Sequence, residues 1–255
     1  MPFSASQSRL SQEGLKTIAC VSMLLDHMGV IIVKPMFEAA VLAGNPVGAI
    51  SDVYTLLRIL GRLAFPIYCF LLSEGIIHTR NPGRYGLRLL AAAILSELSY
   101  DFALHGVFSW QDQSVMVTLL LGFLALQLMA RINKLPLKLL VLLPFALAAE
   151  YLEADYGAKG VALIALFALT RDLHRKYLWQ LLGMWFLFSP GHRMIFNWIS
   201  TFSLTTQELA VFALIPISLY SGEKKNSSKL LQCGFYLFYP VHLALLWLVK
   251  GAIYG

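Results

Sequence analysis

Residues 15–33 form an apolar stretch long enough to cross a bilayer, yet Asp26 and His27 lie within it. About 20 apolar residues span the hydrocarbon core of a membrane. Ionisable groups inside such a stretch are energetically costly and are typical of functional sites. Lys16 precedes His27 by eleven positions, so a helix places both side chains on one face, roughly 16 Å apart along the axis. A structural histidine, with Lys16 anchoring the helix at the membrane edge, explains this helix equally well.

The overall composition identifies the class of protein. Hydrophobic residues make up 58% of the chain and charged residues only 13%, whereas soluble domains contain about 45–50% and 25%. The mean hydropathy is +0.68. We therefore expect a single all-α domain over residues 1–255, a polytopic helical membrane protein. Because Asp26 and His27 interrupt the first apolar stretch and further spans follow it, that stretch is not a cleaved signal peptide.

The hydropathy pattern predicts about nine helices, of which three are short for a complete span (158–171, 177–190 and 207–221). Glycine, asparagine and proline between the first two helices favour a loop at 35–52, and aromatic and polar residues favour an interfacial or re-entrant segment at 191–206. The nine predicted helices cover about 15–33, 53–78, 85–106, 114–130, 135–152, 158–171, 177–190, 207–221 and 229–252.

Basic residues predict how the helices are oriented. They are concentrated in alternate loops, whereas the loops near 107–113 and 152–157 contain none. The positive-inside rule therefore predicts a cytoplasmic amino terminus, an outer carboxyl terminus and a location in a bacterial inner membrane. It also explains the net charge of +6 without a nucleic-acid partner. The basic loops contain Arg80, Arg84 and Arg88; Arg131, Lys134 and Lys138; Arg171, Arg175 and Lys176; and Lys224, Lys225 and Lys229.

In this topology, polar side chains from distant segments lie at the same depth, in the outer half of the membrane. A rise of about 1.5 Å per residue gives each residue its depth. Glu74 lies lower and is expected to line a different cavity. The side chains at the outer level are His27, Arg58, Arg62, Glu97, Asp101, Gln113, Thr118, Tyr239 and His242.

Two interpretations of this group of polar side chains remain open. Arg58 and Arg62 could form a buried ion-pair network with Glu97 and Asp101, because charges in a membrane need partners. His27 could instead act as a general base, held in one tautomer by a carboxylate. Asp26 points about 100° away from its neighbour on the helix, which leaves Glu97 or Asp101 as the alternative orienting group.

The last helix carries a second histidine at the same level. His242 lies three positions after Tyr239 and beside Pro240, which frees the carbonyl of Tyr236 from its helical hydrogen bond. We expect His242 to contact an acceptor substrate or to bond with the His27 network. A packed histidine that satisfies the freed carbonyl is an equally good interpretation. Cys20, Cys69 and Cys233 have no paired spacing and predict neither a disulfide nor a metal site.

Six segments, distributed over nearly the whole chain, resemble the TraX family of membrane acetyltransferases, known for N-acetylating the amino terminus of conjugative pilin. They are LKTIACVSMLLDHMG, GRLAFPIYCFLLSEG, SELSYD, QSVMVTLLLG, ADYGAKGV and FYLFYPVHL. TraX-like proteins look related to wider transmembrane acyltransferases, in which a basic residue and a histidine have the spacing of Lys16 and His27. The resemblance implies cytoplasmic acetyl-CoA as donor and an acceptor approaching from the outer side. The resemblance does not identify the acceptor of this protein, because nothing in the sequence points to a pilin.

Acyl-transfer chemistry fits these residues. The reaction needs a base for the acceptor proton and a stabiliser for the oxyanion. We expect His27 to be the base, with Arg62 or Tyr239 facing the oxyanion. Lys16, Arg80, Arg84 and Arg88 suit the phosphates of coenzyme A, although the positive-inside rule alone also explains them. The predicted catalytic residues are His27, Asp26, Arg62, Glu97 and Asp101, and the predicted acceptor-binding residues are Tyr239, His242, Gln113 and Tyr156.

The acceptor, a peptide, amine or glycan, stays unidentified, and a homo-oligomer is possible. No metal is expected. A small proton-coupled transporter is the alternative function, because transporters also carry intramembrane histidine, arginine and glutamate. Transporters usually contain an internal repeat, and this sequence has no evident one. Binding or hydrolysis of acetyl-CoA separates the two functions.

Overall fold

The computed structural model describes residues 10–189, 207–222 and 228–254. In these ranges the chain forms helices and two isolated β-bridges, Leu10–Tyr220 and Gln113–Ala154, but no strand. The helices are α1 (Gln12–Met28), a π-helix (Gly29–Val33), α2 (Lys34–Leu42), α3 (Gly48–Gly61), α4 (Ala64–His78), α5 (Pro82–Leu104), α6 (Val115–Met129), α7 (Leu135–Tyr151), α8 (Gly157–Thr170), α9 (Lys176–Phe188), a 3₁₀-helix (Glu208–Ala213), α10 (Leu214–Ser218) and α11 (Lys229–Tyr254).

These elements form nine helical units in the described ranges, and each unit coincides with one predicted helix. Three continuous stretches are long and apolar enough to cross a membrane, by length and composition: Gln12–Leu42, Gly48–His78 and Leu230–Tyr254. The predicted all-α fold is therefore confirmed. The predicted interfacial or re-entrant segment 191–206 lies outside the described residues.

The predicted loop at 35–52 is wrong in extent. Helical structure continues past Pro35 to Leu42 and resumes at Gly48, which leaves only residues 43–47 as a turn. The π-helix Gly29–Val33 immediately precedes α2, so Pro35 lies in the first turn of a new α-helical segment. The wider π-helical turn directly before Pro35 accommodates a residue that cannot donate a backbone hydrogen bond, so the helix continues.

The second predicted helix is one unit with a break at Arg62 and Leu63, between α3 and α4. Pro66 follows in the first turn of α4 and cannot donate a backbone hydrogen bond. The backbone N–H of Arg62 is shared between the carbonyls of Arg58 and Ile59, at 3.2 Å each. The break therefore lies directly at a predicted site residue.

Helices α4, α6 and α8 form the centre of the bundle and contribute many of its buried apolar side chains. Helix α1 packs against α3 and α4, and α11 packs most extensively against α5. Leucines on α5 and α7 face outward, as expected of helices in lipid. At the carboxyl end of α11, Tyr254 donates to the carbonyl of Ile32 at 2.6 Å and Lys250 to that of Ala103 at 3.4 Å. Helices α1, α5 and α11 thus run in the same direction.

Candidate functional site

A cavity of about 430 Å³ extends along α1 between α4, α5, α6 and α11. Lys16 and Arg88 line one end of this cavity, and Asp26, His27 and Tyr239 line the other. Lys16 and His27 therefore share one helical face and one cavity, as their spacing predicts. The lining between the two ends is mostly apolar and aromatic, and it includes Met23, Ala64, Phe65, Tyr68, Leu71, Leu72, Met116 and Leu119.

His27 and His242 form a polar pair at the end of the cavity opposite Lys16. Nδ1 of His27 lies 2.7 Å from Nε2 of His242, and the two rings stack with centroids 4.9 Å apart. Nδ1 of His242 lies 2.6 Å from the carbonyl oxygen of Phe238. The ring of Tyr239 meets that of His27 edge-on at 5.8 Å.

This chain of hydrogen bonds fixes the tautomer of both rings. The carbonyl of Phe238 can only accept, so Nδ1 of His242 carries a proton and, in the neutral ring, Nε2 of His242 accepts. Nδ1 of His27 must then donate, which leaves Nε2 of His27 with its lone pair as a proton acceptor. The predicted bond between His242 and the His27 network is confirmed. The prediction that a carboxylate orients His27 is wrong, because His242 occupies that position.

Asp26 binds both arginines of α3. Its Oδ2 lies 2.6 Å from Nη1 of Arg58, and its Oδ1 lies 2.6 Å from Nη2 of Arg62. The predicted pairing of these arginines with Glu97 and Asp101 is therefore wrong. Adjacent residues on α1 diverge by about 100°, so Asp26 faces α3 while His27 faces α11.

Two glycines allow α1 and α3 to approach closely enough for these ion pairs. A Cβ atom on Gly61 would overlap the side chain of Asp26, and one on Gly29 would lie 3.3 Å from Cβ of Leu57. Ser22 of α1 also donates to the carbonyl of Leu60. Asp26 consequently reaches both arginines across a short helix–helix distance, which Glu97 and Asp101 on α5 do not offer.

Arg62 connects Asp26 to two further polar side chains, Gln207 and Tyr156, but is not itself part of the cavity lining. Its Nη1 donates to Oε1 of Gln207 at 2.5 Å and lies 3.5 Å from the hydroxyl of Tyr156, and its Nε donates to the carbonyl of Arg58 at 3.2 Å. Tyr156 lines the cavity and stacks on Phe65 with centroids 3.7 Å apart. The structure therefore places Tyr156 beside Arg62, within the predicted site.

Glu97 and Asp101 lie outside the cavity lining and shape the connection between α5 and α6. Glu97 accepts from the backbone N–H of Ser114 at 3.0 Å and from its hydroxyl at 2.5 Å, at the start of α6. Asp101 accepts from the backbone N–H of Ser109 at 3.2 Å. A carboxylate at a helix amino terminus is a stabilising arrangement. Glu97 and Asp101 therefore support the connection between α5 and α6. The prediction from the sequence places them at the reacting groups instead.

Gln113 supports the site through its backbone, and the structure does not place it in the cavity lining. Its N–H donates to the carbonyl of Glu153 at 3.2 Å, and its carbonyl accepts from the N–H of Asp155 at 2.8 Å. The hydroxyl of Thr118 donates to the carbonyl of Asp155. These bonds hold the turn before α8, which presents Asp155 and Tyr156 to the cavity.

The mouth of the cavity carries cations that lie over aromatic rings. Nζ of Lys16 lies 5.2 Å from the ring centroid of Phe235, and the guanidinium of Arg88 lies 5.8 Å from Tyr85 and 5.7 Å from Tyr236. Arg80 and Arg84 line an adjoining groove that Arg88 also borders. Of the four predicted donor-binding cations, Lys16 and Arg88 thus line the cavity, and Arg80 and Arg84 line only the adjoining groove.

Glu74 lines neither the cavity nor the groove. It is buried and accepts from Nε of Arg171 at 3.1 Å, with Nε2 of His78 at 3.6 Å. Cys20 lies 3.1 Å from the hydroxyl of Tyr68. Across the described ranges, no group of three or more histidine, cysteine, aspartate or glutamate residues has an arrangement that could hold a metal.

Sequence reasoning missed two residues of the site, Asp155 and Gln207. Asp155 lines the cavity next to Tyr156, and its position in the segment ADYGAKGV was an available signal. Gln207 binds Arg62 from a segment 145 positions away. Nothing in the sequence around Gln207 indicates that contact.

Comparison with known proteins identifies the family. A family model described as TraX protein matches residues 11–250. The chain is also 31% identical over 250 residues to a protein of Dichelobacter nodosus described as "Probable fimbrial assembly protein FimC, serogroup H1", covering 92% of this chain and 94% of that protein. No solved structure matches. With its His27–His242 pair and cavity contained in the matched region, the chain belongs to the TraX family.

Proposed function

We propose that this protein is a membrane-embedded acetyltransferase of a bacterial inner membrane. It moves an acetyl group from cytoplasmic acetyl-CoA to an amine or hydroxyl acceptor at the outer side, with His27 as general base. The observation that carries this proposal is the single cavity lined by Lys16 and Arg88 at one end and by His27 at the other. A donor held at its phosphates by the basic end can thus present its thioester to the histidine.

The dimensions and charges of the cavity support coenzyme A as the carrier. Lys16 and His27 are separated by roughly 16 Å along the helix axis, a distance that an extended pantetheine arm spans. Arg88 borders both the opening and the adjoining groove, which Arg80 and Arg84 also line. Guanidinium groups bind phosphate oxygens in bidentate fashion, so this cluster suits the phosphates of the nucleotide end.

His27 has the tautomer that the reaction requires. The lone pair on its Nε2 takes a proton from the acceptor as the acceptor attacks the thioester carbonyl. The new bond to carbon forms, the carbon–sulfur bond breaks, and the departing thiolate receives the proton from His27. His242 stabilises the charged ring through the bond at its other nitrogen.

Tyr239 is the better candidate to face the oxyanion. Each nitrogen of the Arg62 guanidinium already has a partner: Asp26, Gln207 or the carbonyl of Arg58. Tyr239 is next to His27 and lines the cavity. A hydroxyl donor at that position stabilises charge that develops in the transition state.

The similarity to a probable fimbrial assembly protein favours a surface protein as the acceptor. An N-terminal amine of a pilin-type subunit has the chemistry that the proposed base requires. The peptide amine therefore ranks above a glycan hydroxyl as the acceptor to test first.

The experiment measures acetyl-CoA binding and hydrolysis by the detergent-purified protein. We expect binding in the wild type and in His27→Ala, with turnover lowered about 10²–10⁴-fold in the variant because the general base is lost. His174→Ala is the matched control, since His174 is exposed and outside the cavity lining. A wild-type protein without acetyl-CoA binding would favour the transporter alternative, and near-normal turnover by His27→Ala would contradict the role of His27.

A further inference from the structure

Asp155 is a carboxylate in the lining of the cavity that His27 also lines. It lies in the turn between α7 and α8, and the residue is exposed. Asp155 and Asp26 are the two acidic residues of the lining, so the charge of any cationic ligand at this end must be met by one of them.

Asp26 is already neutralised, whereas Asp155 is not. Both oxygens of Asp26 bind arginines at 2.6 Å. Among the described residues, Asp155 forms no ion pair within 4 Å. Its carboxylate accepts a hydrogen bond from the backbone N–H of Tyr156, and Arg62 attracts it over a longer distance. A cation entering the cavity therefore finds an available carboxylate at Asp155.

Asp155 lines the same cavity as the proposed base. It interacts electrostatically with Tyr239, whose ring is 5.8 Å from that of His27. Asp26 of α1 and Arg62 at the end of α3 also act electrostatically on Asp155. The charged and titratable groups that act on Asp155 or on which it acts are Asp26, Arg58, Arg62, Tyr100, Tyr156 and Tyr239.

We propose that Asp155 is the acceptor-binding residue, which pairs with the ammonium group of an amine acceptor and takes its first proton. This inference rests on the proposed acetyltransferase function and assigns the acceptor end of the same cavity. The Asp155 carboxylate would make the site prefer a protonated amine to a hydroxyl, because only the amine forms an ion pair with it.

An ammonium substrate loses two protons in this reaction, so two basic groups are needed at this end of the cavity. An ammonium group must lose one proton before its nitrogen can attack, and a second proton as the carbon–nitrogen bond forms. Asp155 takes the first and later releases it to solvent; Nε2 of His27 takes the second and passes it to the departing thiolate. The products are the acetamide, free coenzyme A with its thiol, and one released proton. A hydroxyl acceptor would need only His27.

The surroundings of Asp155 suit this step. Enclosure by protein raises the pKa of Asp155 to about 6, against the opposing attraction of Arg62. The group is ionised at neutral pH, where it can pair with an ammonium, yet it is more basic than an ordinary aspartate, whose pKa is about 3.9.

The experiment compares two probes with the detergent-purified protein and acetyl-CoA: the tripeptide Ala-Gly-Gly amide, and the analogue in which a hydroxyl replaces the α-amino group. We expect Asp155→Asn to raise the KM for the amine probe about 10- to 100-fold, as expected for the loss of a charged hydrogen bond. The hydroxyl probe and the Kd of acetyl-CoA should be unchanged. Asp155→Glu should restore part of the amine preference.

Glu153→Gln is the matched control, because it neutralises an exposed carboxylate of the same turn that does not line the cavity. It should leave both probes unaffected. An unchanged KM for the amine in Asp155→Asn, equal losses with both probes, or no transfer to either probe by a wild type that binds acetyl-CoA would overturn the inference. A wild type that fails to bind acetyl-CoA would instead overturn the proposed function. These two failures are therefore distinguishable.

Discussion

Nδ1 of His27 lies 2.7 Å from Nε2 of His242, although 215 positions separate the two residues in the chain. The carbonyl of Phe238 holds the far nitrogen of His242, so one backbone acceptor sets the proton positions of both rings. The carboxyl-terminal helix therefore determines which nitrogen of His27 is available as a base.

The first prediction concerns this orientation. His242→Ala removes the acceptor at Nδ1 of His27, so the ring loses its fixed tautomer and the stabilisation of its charged form. We expect kcat for transfer to fall about 10- to 100-fold, less than the loss of the base itself. The KM for acetyl-CoA should stay unchanged.

Steady-state kinetics with both substrates measure this effect, and His174→Ala serves as the exposed control. A variant with normal kcat but a raised KM for the acceptor would instead indicate that His242 contacts the acceptor directly. Equal losses of both affinities and of thermal stability would indicate a packing role.

The second prediction concerns the ion pairs of Asp26 with Arg58 and Arg62. Removing Arg62 leaves Arg58 as the partner of Asp26, whereas removing Asp26 leaves two arginines without their carboxylate. Breaking a buried ion network in this way costs about 3–5 kcal/mol. We therefore expect Asp26→Asn to melt at a lower temperature than either arginine variant.

Arg62→Gln should destabilise more than Arg58→Gln, because Arg62 is more buried and also binds Gln207. Thermal unfolding in one detergent ranks the three variants. Normal stability with lost transfer in Arg62→Gln would show that this guanidinium acts on the substrate, and an inverted ranking would contradict the assigned network.

The third prediction concerns Gly61. A methyl group at this position would overlap Asp26, whereas one at Gly234 of α11 would meet no atom within 4 Å. Gly61→Ala should therefore push α1 away from α3 and lower the free energy of unfolding by about 1–3 kcal/mol. Gly234→Ala is the control, since alanine has the higher helix propensity.

Thermal unfolding and expression level compare these two glycine variants. Equal stability of Gly61→Ala and Gly234→Ala would mean that close packing of α1 on α3 is unnecessary for the Asp26 ion pairs.

The fourth prediction concerns topology. The distribution of basic loops places the carboxyl terminus outside. Helices α1 and α11 run in the same direction, and Tyr254 at the end of α11 bonds to Ile32 in the π-helix that follows α1. A reporter fused after Gly255 should therefore report an extracytoplasmic location in intact cells. A cytoplasmic signal would contradict both the assigned orientation and the entry of acetyl-CoA at Lys16.

The sequence by itself determined the helical units and the shared face of Lys16 and His27. Both follow from local rules, since hydrophobic length defines a helix and a fixed rotation per residue aligns positions eleven apart. It also singled out His242 and Tyr156, because polar residues inside apolar or acidic segments are conspicuous. Local rules failed at Pro35, where a π-helical turn changes the register and lets the helix continue.

Only the tertiary structure decided which charges pair. Arg58 and Arg62 face Asp26 rather than Glu97 and Asp101, because Gly29 and Gly61 bring α1 close to α3. Equal depth in a membrane does not specify which helices are neighbours, and charges pair only across helices in direct contact. The bond between His27 and His242 and the exposure of Asp155 to the cavity depend on the same packing, which no local pattern encodes.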